Sequence, residues 1–350
     1  MTRNKTADPP SDELGRGDEE STTGRTAEPR STENTRIRML RSVFGETAPG
    51  FDIAVGDDCA VLAPVAARIV WSIDTAVEGV HFRRDLMTLE DAGYRATMAA
   101  LSDLAAMGAA PLGLVSALVL PRDLNDSELL SIARGQREAA SLLGTSVVGG
   151  NLARGDVISI TSSVLGHAER PLYRRGAQVG DDVYIAGALG FAAVGLRLAN
   201  SPRTGQLSPS DERLVTQALQ AYRRPYARID DGLYLARVGA TAMIDVSDGL
   251  ATDATHVAEE SGVTIVLEEA HVLASTSTRL CALAQRDALD VILTGGDDYA
   301  LLATAPRDCA LPGDRFLRIG RCVARGPHPL LLETAYEVRP IAAAGFDHFG

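Results

Sequence analysis

Lysine is almost missing from this 350-residue chain. Of the 34 lysine and arginine residues one is a lysine, Lys5, and it lies in an N-terminal stretch with few large apolar side chains. The rest of the chain therefore has no Walker A lysine, no Schiff-base lysine and no kinase-type strand lysine. Any phosphate group bound there has to be neutralised by arginine, backbone N–H groups or metal. The four cysteines, Cys59, Cys281, Cys309 and Cys322, are scattered without CxxC or metal-ligand spacing. They read as reduced thiols of a cytoplasmic protein. No apolar run approaches the ~20 residues of a membrane span, and the N-terminus lacks the apolar core of a secretory signal. A positive excess is also missing: the formal net charge is −12 and the pI about 5.0. That argues against nucleic acid and anionic membranes as partners.

What is present is apolar material for a large core, 45% of the residues, in a chain long enough for two domains of ordinary size. Residues 1–35 are rich in Ser, Thr, Glu, Asp, Arg, Pro and Gly, a composition that cannot offset its ordering entropy, so the fold is expected to start near Arg36. The stretch "ARIVWSIDTAVEGVHF" predicts a strand ending at Asp74. "TLEDAGYRATMAALSDLAAMGA" predicts a helix, with Thr88 as N-cap, Glu90 and Asp91 in its first turn and Gly108 at its stop. "NDSELLSIARGQREAASLLG" predicts a second helix, and "GLVSALVLP", "TSVVGGN" and "VISITSSVLGHA" predict strands. A second set begins near Pro171. It includes a strand, glycine turn and helix in "DDVYIAGALGFAAVGLRLAN", a strand in "ATAMIDVSD", a helix from about Leu250 to Glu260 and a strand in "VTIVLEEA". "DVILTGGDDYALLATA" predicts strand, polar glycine turn, strand. Strands alternate with helices in both halves, which predicts α/β domains over 36–167 and 168–350.

The acids fall at junctions between apolar segments and turns. Asp57 and Asp58 follow Gly56, Asp245 and Asp248 close an apolar run in "AMIDVSDGLATD", and Asp297 and Asp298 follow Gly295 and Gly296. Crowded carboxylates repel unless a positive charge lies between them. Strand ends bordering a crevice are where α/β folds bind ligands. Hard oxygen donors without a His/Cys cluster suit Mg²⁺, which binds through a few carboxylates plus substrate phosphates. The missing positive charge is best read as magnesium carrying a nucleotide phosphate. The glycines of "GGN" and "GGDD" would let backbone N–H groups approach those phosphates.

In chain order, "GDDCAVL", "SIDTAVEGVHF", "SDLAAMGA", "YRRGAQVGD", "DVSDGL", "GGDDYALL" and "GFDHF" resemble the motifs of thiamine-monophosphate kinases, in the aminoimidazole ribotide synthetase-like superfamily. The resemblance runs from about residue 40 to the end. It implies a two-domain α/β (α+β) fold, a homodimer whose N-terminal domains pair into a β-barrel, and a C-terminal α/β domain. It implies ATP and Mg²⁺ bound between the domains, and direct transfer of the γ-phosphoryl to thiamine monophosphate with no covalent intermediate. Carried over by position, Asp58, Ser72, Asp74, Asp103, Asn151, Asp245 and Asp248 match magnesium ligands, with Ile73 contributing its backbone. Gly150, Asn151, Arg174 and Ser247 match ATP contacts, Arg174 also aligning the transfer. His81, Asp297 and Phe346 match substrate contacts. Three positions depart from the family pattern: Asn151 stands for an aspartate, Asp297 for a glutamate and Ala300 for an acid. A paralogous kinase with another small acceptor and a non-catalytic nucleotide-binding homologue are the alternative readings.

Overall fold

The computed structural model describes residues 33–45, 47–53, 61–201, 206–309, 311–343 and 345. Asp58, Cys59, Phe346 and the N-terminal stretch up to residue 32 lie outside them. The first helix, α1 (Glu33–Phe44), begins three residues before the start that composition suggests. Arg36 ties it down, its Nε 2.8 Å from Asp126 Oδ1 and its Nη2 donating to the Leu124 carbonyl. Short strands β1 (Phe51–Ile53) and β2 (Val61–Leu62) pair with each other.

Four strands then build one sheet: β3 (Arg68–Val77), β4 (Ala110–Leu120), β5 (Val147–Arg154) and β6 (Ser159–Ala168), in the order β3-β6-β4-β5. Strand β6 is antiparallel to both neighbours, and β5 runs parallel to β4. Asp74 does not end its strand, because pairing with β6 continues to Val77 opposite Ser159. Helices α2 (Leu89–Ala106) and α3 (Asp126–Leu142) cover one face of this sheet. Thr88 and Asp91 exchange hydrogen bonds in a capping box that starts α2, and Asn125 and Glu128 do the same for α3. The other face is open, with Ile69, Trp71, Ile73 and Val115 exposed on it. Among the described residues this sheet does not close into a barrel.

The second sheet has seven strands: β7 (Asp182–Ala186), β8 (Ala242–Val246), β9 (Val263–Glu268), β10 (Ala300–Ala305), β11 (Leu317–Ala324), β12 (Leu330–Glu333) and β13 (Val338–Pro340). Their order is β13-β12-β9-β11-β7-β10-β8, antiparallel throughout except for β9 with β12. Its helices are α4 (Phe191–Asn200), α5 (Pro209–Arg223), α6 (Ile229–Val238), α7 (Leu250–Ser261), α8 (Glu269–Leu273), α9 (Thr278–Leu283) and α10 (Ala288–Thr294). The last corrects the reading of "DVILT" as a strand. Asp287 accepts from the Asp290 N–H and caps a helical turn, and a short apolar run has no period that tells helix from strand.

Helix α2 is the pivot of the fold. Its Met98, Leu101 and Leu104 pack against Leu114 and Val164 of the four-stranded sheet and against Met243, Leu301 and Ala303 of the seven-stranded one. The far face of the larger sheet is covered by α7, through Leu250, Ala254 and Val257. No helix among the described residues is long and apolar enough to cross a membrane.

Candidate active site

A cavity of about 1470 Å³ opens where β3, the end of α2 and the end of β8 meet, and Asp74, Asp103, Asp245, Asp248 and Asp297 all line it. Two adjacent residues of α2 join the sheets. Ser102 Oγ donates to Asp245 Oδ2 at 2.7 Å, and Asp103 Oδ2 accepts from Ser72 Oγ on β3. Burial raises the Asp103 carboxyl above its ordinary range; the charge of Asp74 adds to this, while the Ser72 hydroxyl and Arg174 oppose it. Burial, then Asp103, pushes Asp245 up to about 6. These are carboxylates held close enough to repel, with hydroxyls as their hydrogen-bond partners.

Beyond β8 the chain turns through Ser247 and Asp248. The nearly buried Asp253, on the first turn of α7, accepts from both of their N–H groups at 3.1 and 3.2 Å. Burial, then Asp245 and Asp248, pushes Asp253 up to about 7. In the sequence the only signal of Asp253 is its place in "DVSDGLATD".

The oxygen-rich set of Asp74, Asp103, Asp245 and Asp248 fits Mg²⁺ in the chemistry of its donors. Among the described residues no three of His, Cys, Asp or Glu converge on one point to hold an ion by themselves. Mg²⁺ bound through one or two carboxylates, with water and phosphate oxygens completing its shell, needs no such cluster.

The opposite wall is the "GGDD" turn. Its backbone crosses the "DVSD" turn closely: Asp297 N–H donates to the Ser247 carbonyl and Tyr299 N–H to the Val246 carbonyl. A Cβ on Gly296 would lie 2.4 Å from the Ser247 carbonyl oxygen, so the crossing itself requires glycine there. Asp297 and Tyr299 both have left-handed backbones, φ 67° and 49°. The Asp297 carboxylate meets Arg95 of α2 at 2.6 Å and accepts from the Tyr299 hydroxyl at 3.0 Å. Next to it, Asp298 accepts from the Gly190 and Ala192 N–H groups at the start of α4.

Ile73 and His81 also line the cavity. His81 Nδ1 accepts from the Val77 N–H at 3.1 Å, which places the proton of the neutral ring on Nε2. Arg83, Arg197 and Arg286 give the cavity a basic side that the sequence did not single out.

Not every expected residue gathers here. Gly150 lies on β5 in one transverse row with Ser116, Ser162 and Asp74. Three strand spacings, about 14 Å, therefore separate it from Asp74. A Cβ on Gly150 would lie 2.0 Å from the Ser116 carbonyl oxygen, so this glycine is required for strand packing. Asn151 is exposed on the same edge strand, one residue out of that row, and does not line the cavity. Arg174 is exposed and outside the lining, yet close enough to act on Asp103 and Asp245. Ala300 is fully buried with Val246 in the core on the far side of the larger sheet, so the missing acid does not alter the cavity wall. Asp58 and Phe346 lie outside the described residues.

Residues 56–168 match the family of the AIR synthase related protein, N-terminal domain. Over 268 residues the chain is 34% identical to the thiamine-monophosphate kinase of Aquifex aeolicus (strain VF5), covering 76% of this chain and 85% of that protein. The chain belongs to the thiamine-monophosphate kinase family. Among solved structures it is similar to AaThiL complexed with AMPPCP and TMP, with a TM-score of 0.71 and 28% identity over 91% of this chain and 97% of that one. Hydrogenase maturation protein HypE in complex with ATP gives a TM-score of 0.69 at 18% identity, over 92% of this chain and 96% of that one. That likeness is one of fold alone. Membership of the kinase family rests on the sequence identity.

Proposed function

We propose that this protein transfers the γ-phosphoryl group of ATP to the phosphate of thiamine monophosphate, giving thiamine diphosphate. The observation that carries the reading is the set of carboxylates from both sheets on one large cavity, in a chain without a lysine beyond Lys5. Relatives named thiamine-monophosphate kinase, and a neighbour structure holding AMPPCP together with TMP, support it.

Transfer between two phosphates asks the protein for alignment and charge neutralisation rather than covalent chemistry. The acceptor phosphate oxygen is already anionic at neutral pH, so no side-chain base has to create the nucleophile. Asp74, Asp103, Asp245 and Asp248, with Ser72, the Ile73 backbone and Asp58, are assigned to Mg²⁺; Asn151, on the edge strand away from Asp74, is left out of this set. Magnesium bound there supplies charge cancellation along the donor phosphates. Arg174 and Ser247 are assigned to ATP, and Arg174 adds a cation beside the acids; Gly150 and Asn151, on the edge strand, are not assigned to this cavity. His81, Asp297 and Phe346 are assigned to the acceptor, His81 offering its Nε2–H. We assign residues 36–167 to ATP/Mg²⁺ binding and dimerisation and 168–350 to the C-terminal domain. The open apolar face around Trp71 supports a homodimer whose small sheets pack into a barrel. A cytoplasmic location suits the scattered free thiols.

The test is formation of thiamine diphosphate from ATP, Mg²⁺ and thiamine monophosphate by the purified protein. ATP binding without that product would move the assignment to a different phosphorylated acceptor, a reading favoured by the shortened Asp297.

A further inference from the structure

Asp297 is the acceptor contact of the proposed function, and what holds it in place lies in the other half of the fold. Arg95 is 3% exposed in the middle of α2. Its Nη2 reaches Asp297 Oδ2 at 2.6 Å, its Nη1 donates to the Tyr222 carbonyl, and its guanidinium lies 5.1 Å from the centre of the Tyr222 ring. Tyr299, 8% exposed, donates its hydroxyl to the other carboxylate oxygen. Both oxygens of Asp297 are thus engaged from behind, while 40% of the side chain remains open.

Asp297 and Tyr299 both have left-handed backbones, a conformation side chains other than glycine seldom adopt. Strained turns persist where surrounding contacts over-determine them. The Arg95 grip is such a contact, and it is the one that reaches this turn from α2, the helix that also carries Asp103. We infer that Arg95 is a positioning residue for the acceptor: with Tyr299 it fixes the Asp297 carboxylate and balances its charge. Asp297 then meets the acceptor as a fixed hydrogen-bond acceptor for an N–H or O–H group.

This rests on the kinase reading for its substrate, and its test separates the two. Arg95→Gln, Asp297→Asn and the double variant are compared with the wild type by KM for thiamine monophosphate, KM for ATP and kcat. Arg95→Gln is expected to raise KM for thiamine monophosphate by about 10- to 100-fold, the worth of a hydrogen bond to a charged group, with KM for ATP within about threefold. The double variant should be no worse than the worse single variant, because both changes break one unit. Equal rises in both KM values, or losses that multiply in the double variant, overturn the inference. Should Arg95→Gln fail to fold, Tyr299→Phe removes the second support while leaving Arg95. It should raise KM for thiamine monophosphate alone, and an unchanged value overturns the inference. Absence of thiamine diphosphate formation by the wild type overturns the kinase reading instead. The positioning role is then decided by amide hydrogen exchange at residues 296–299. Exchange at least tenfold faster in Arg95→Gln (or in Tyr299→Phe) supports it, and unchanged exchange overturns it.

Discussion

Asp74 lies on β3 and Asp248 on the turn after β8, and both face one cavity, so each offers a separate test of the acid site. Asp74→Asn and Asp248→Asn each remove one charge and almost no volume. Turnover should fall by ~10²–10³ with the melting temperature nearly unchanged, the usual cost of one charge-stabilising contact at a transfer site. Wild-type-like turnover at saturating Mg²⁺ would remove that residue from the metal set. Asp298 behaves differently. Burial pushes its carboxyl up to about 7 although the backbone N–H groups of Gly190, Ala192 and Phe191 at the start of α4 oppose the shift. In the unfolded chain it titrates near 4. Between those values the folded state holds the extra proton, so this group makes stability fall as pH rises from about 4 to 7. Asp298→Asn keeps an oxygen for the Gly190 or Ala192 N–H and carries no charge. The fall in melting temperature between pH 5 and pH 8 should shrink, without vanishing, because Asp253 and Asp245 shift in the same direction. An unchanged slope in a pH series of thermal melts would refute this. Asp245, Asp248 and Asp297 were legible in the sequence because carboxylates where an apolar run meets a turn are out of place there. Arg95 was not, since an arginine in a helix reads as solvated until the partner that buries it is known.

Helix α2 carries Arg95, Ser102 and Asp103, and its start is fixed by the Thr88–Asp91 box. Thr88→Ala loses the cap, worth about 1 kcal/mol, and should lower the melting temperature by about 2–4 °C in a domain of this size. The end of the helix that lines the cavity lies several turns away, so kcat should stay within about twofold. A large loss of kcat at unchanged stability would show that the cap acts on the site directly. This helix was readable because its cap, acidic first turn and closing Gly108 all agree with its period. The stretch at Ala288–Thr294 was not: Val291, Ile292 and Leu293 are all buried, so no polar face reports the turn. Strand order was equally hidden. "TSVVGGN" and "VISITSSVLGHA" are neighbours in sequence, yet β4 lies between them and takes hydrogen bonds from both. That insertion places Gly150 and Asn151 on the edge strand away from Asp74, a separation that local pattern cannot express.

At the scale of the whole molecule, the small sheet leaves an apolar surface uncovered. Residues 69, 71 and 73 alternate along β3 to point the same way, and Ile69, Trp71 and Ile73 are 48%, 76% and 66% exposed. Trp71 is held upright by its indole N–H, which donates to Ser163 Oγ at 2.6 Å. Val115 on β4 extends the patch. Rows of exposed aliphatic and aromatic side chains of this kind mark an interaction surface. In a two-fold dimer the same patch can cover itself. Trp71→Glu places a charge at the centre of that contact, and the protein should then elute as a monomer in size-exclusion chromatography with light scattering, against a dimer expected for the wild type. Ile73 belongs to the face and to the rim of the cavity, next to Asp74, so loss of the dimer should lower kcat as well. Ile69→Glu, farther along the strand from Asp74, separates that effect from a local disturbance of the site. If both variants stay dimeric at the wild-type concentration, the open face is not the dimer interface. If Ile69→Glu is monomeric with wild-type kcat, the dimer is independent of catalysis.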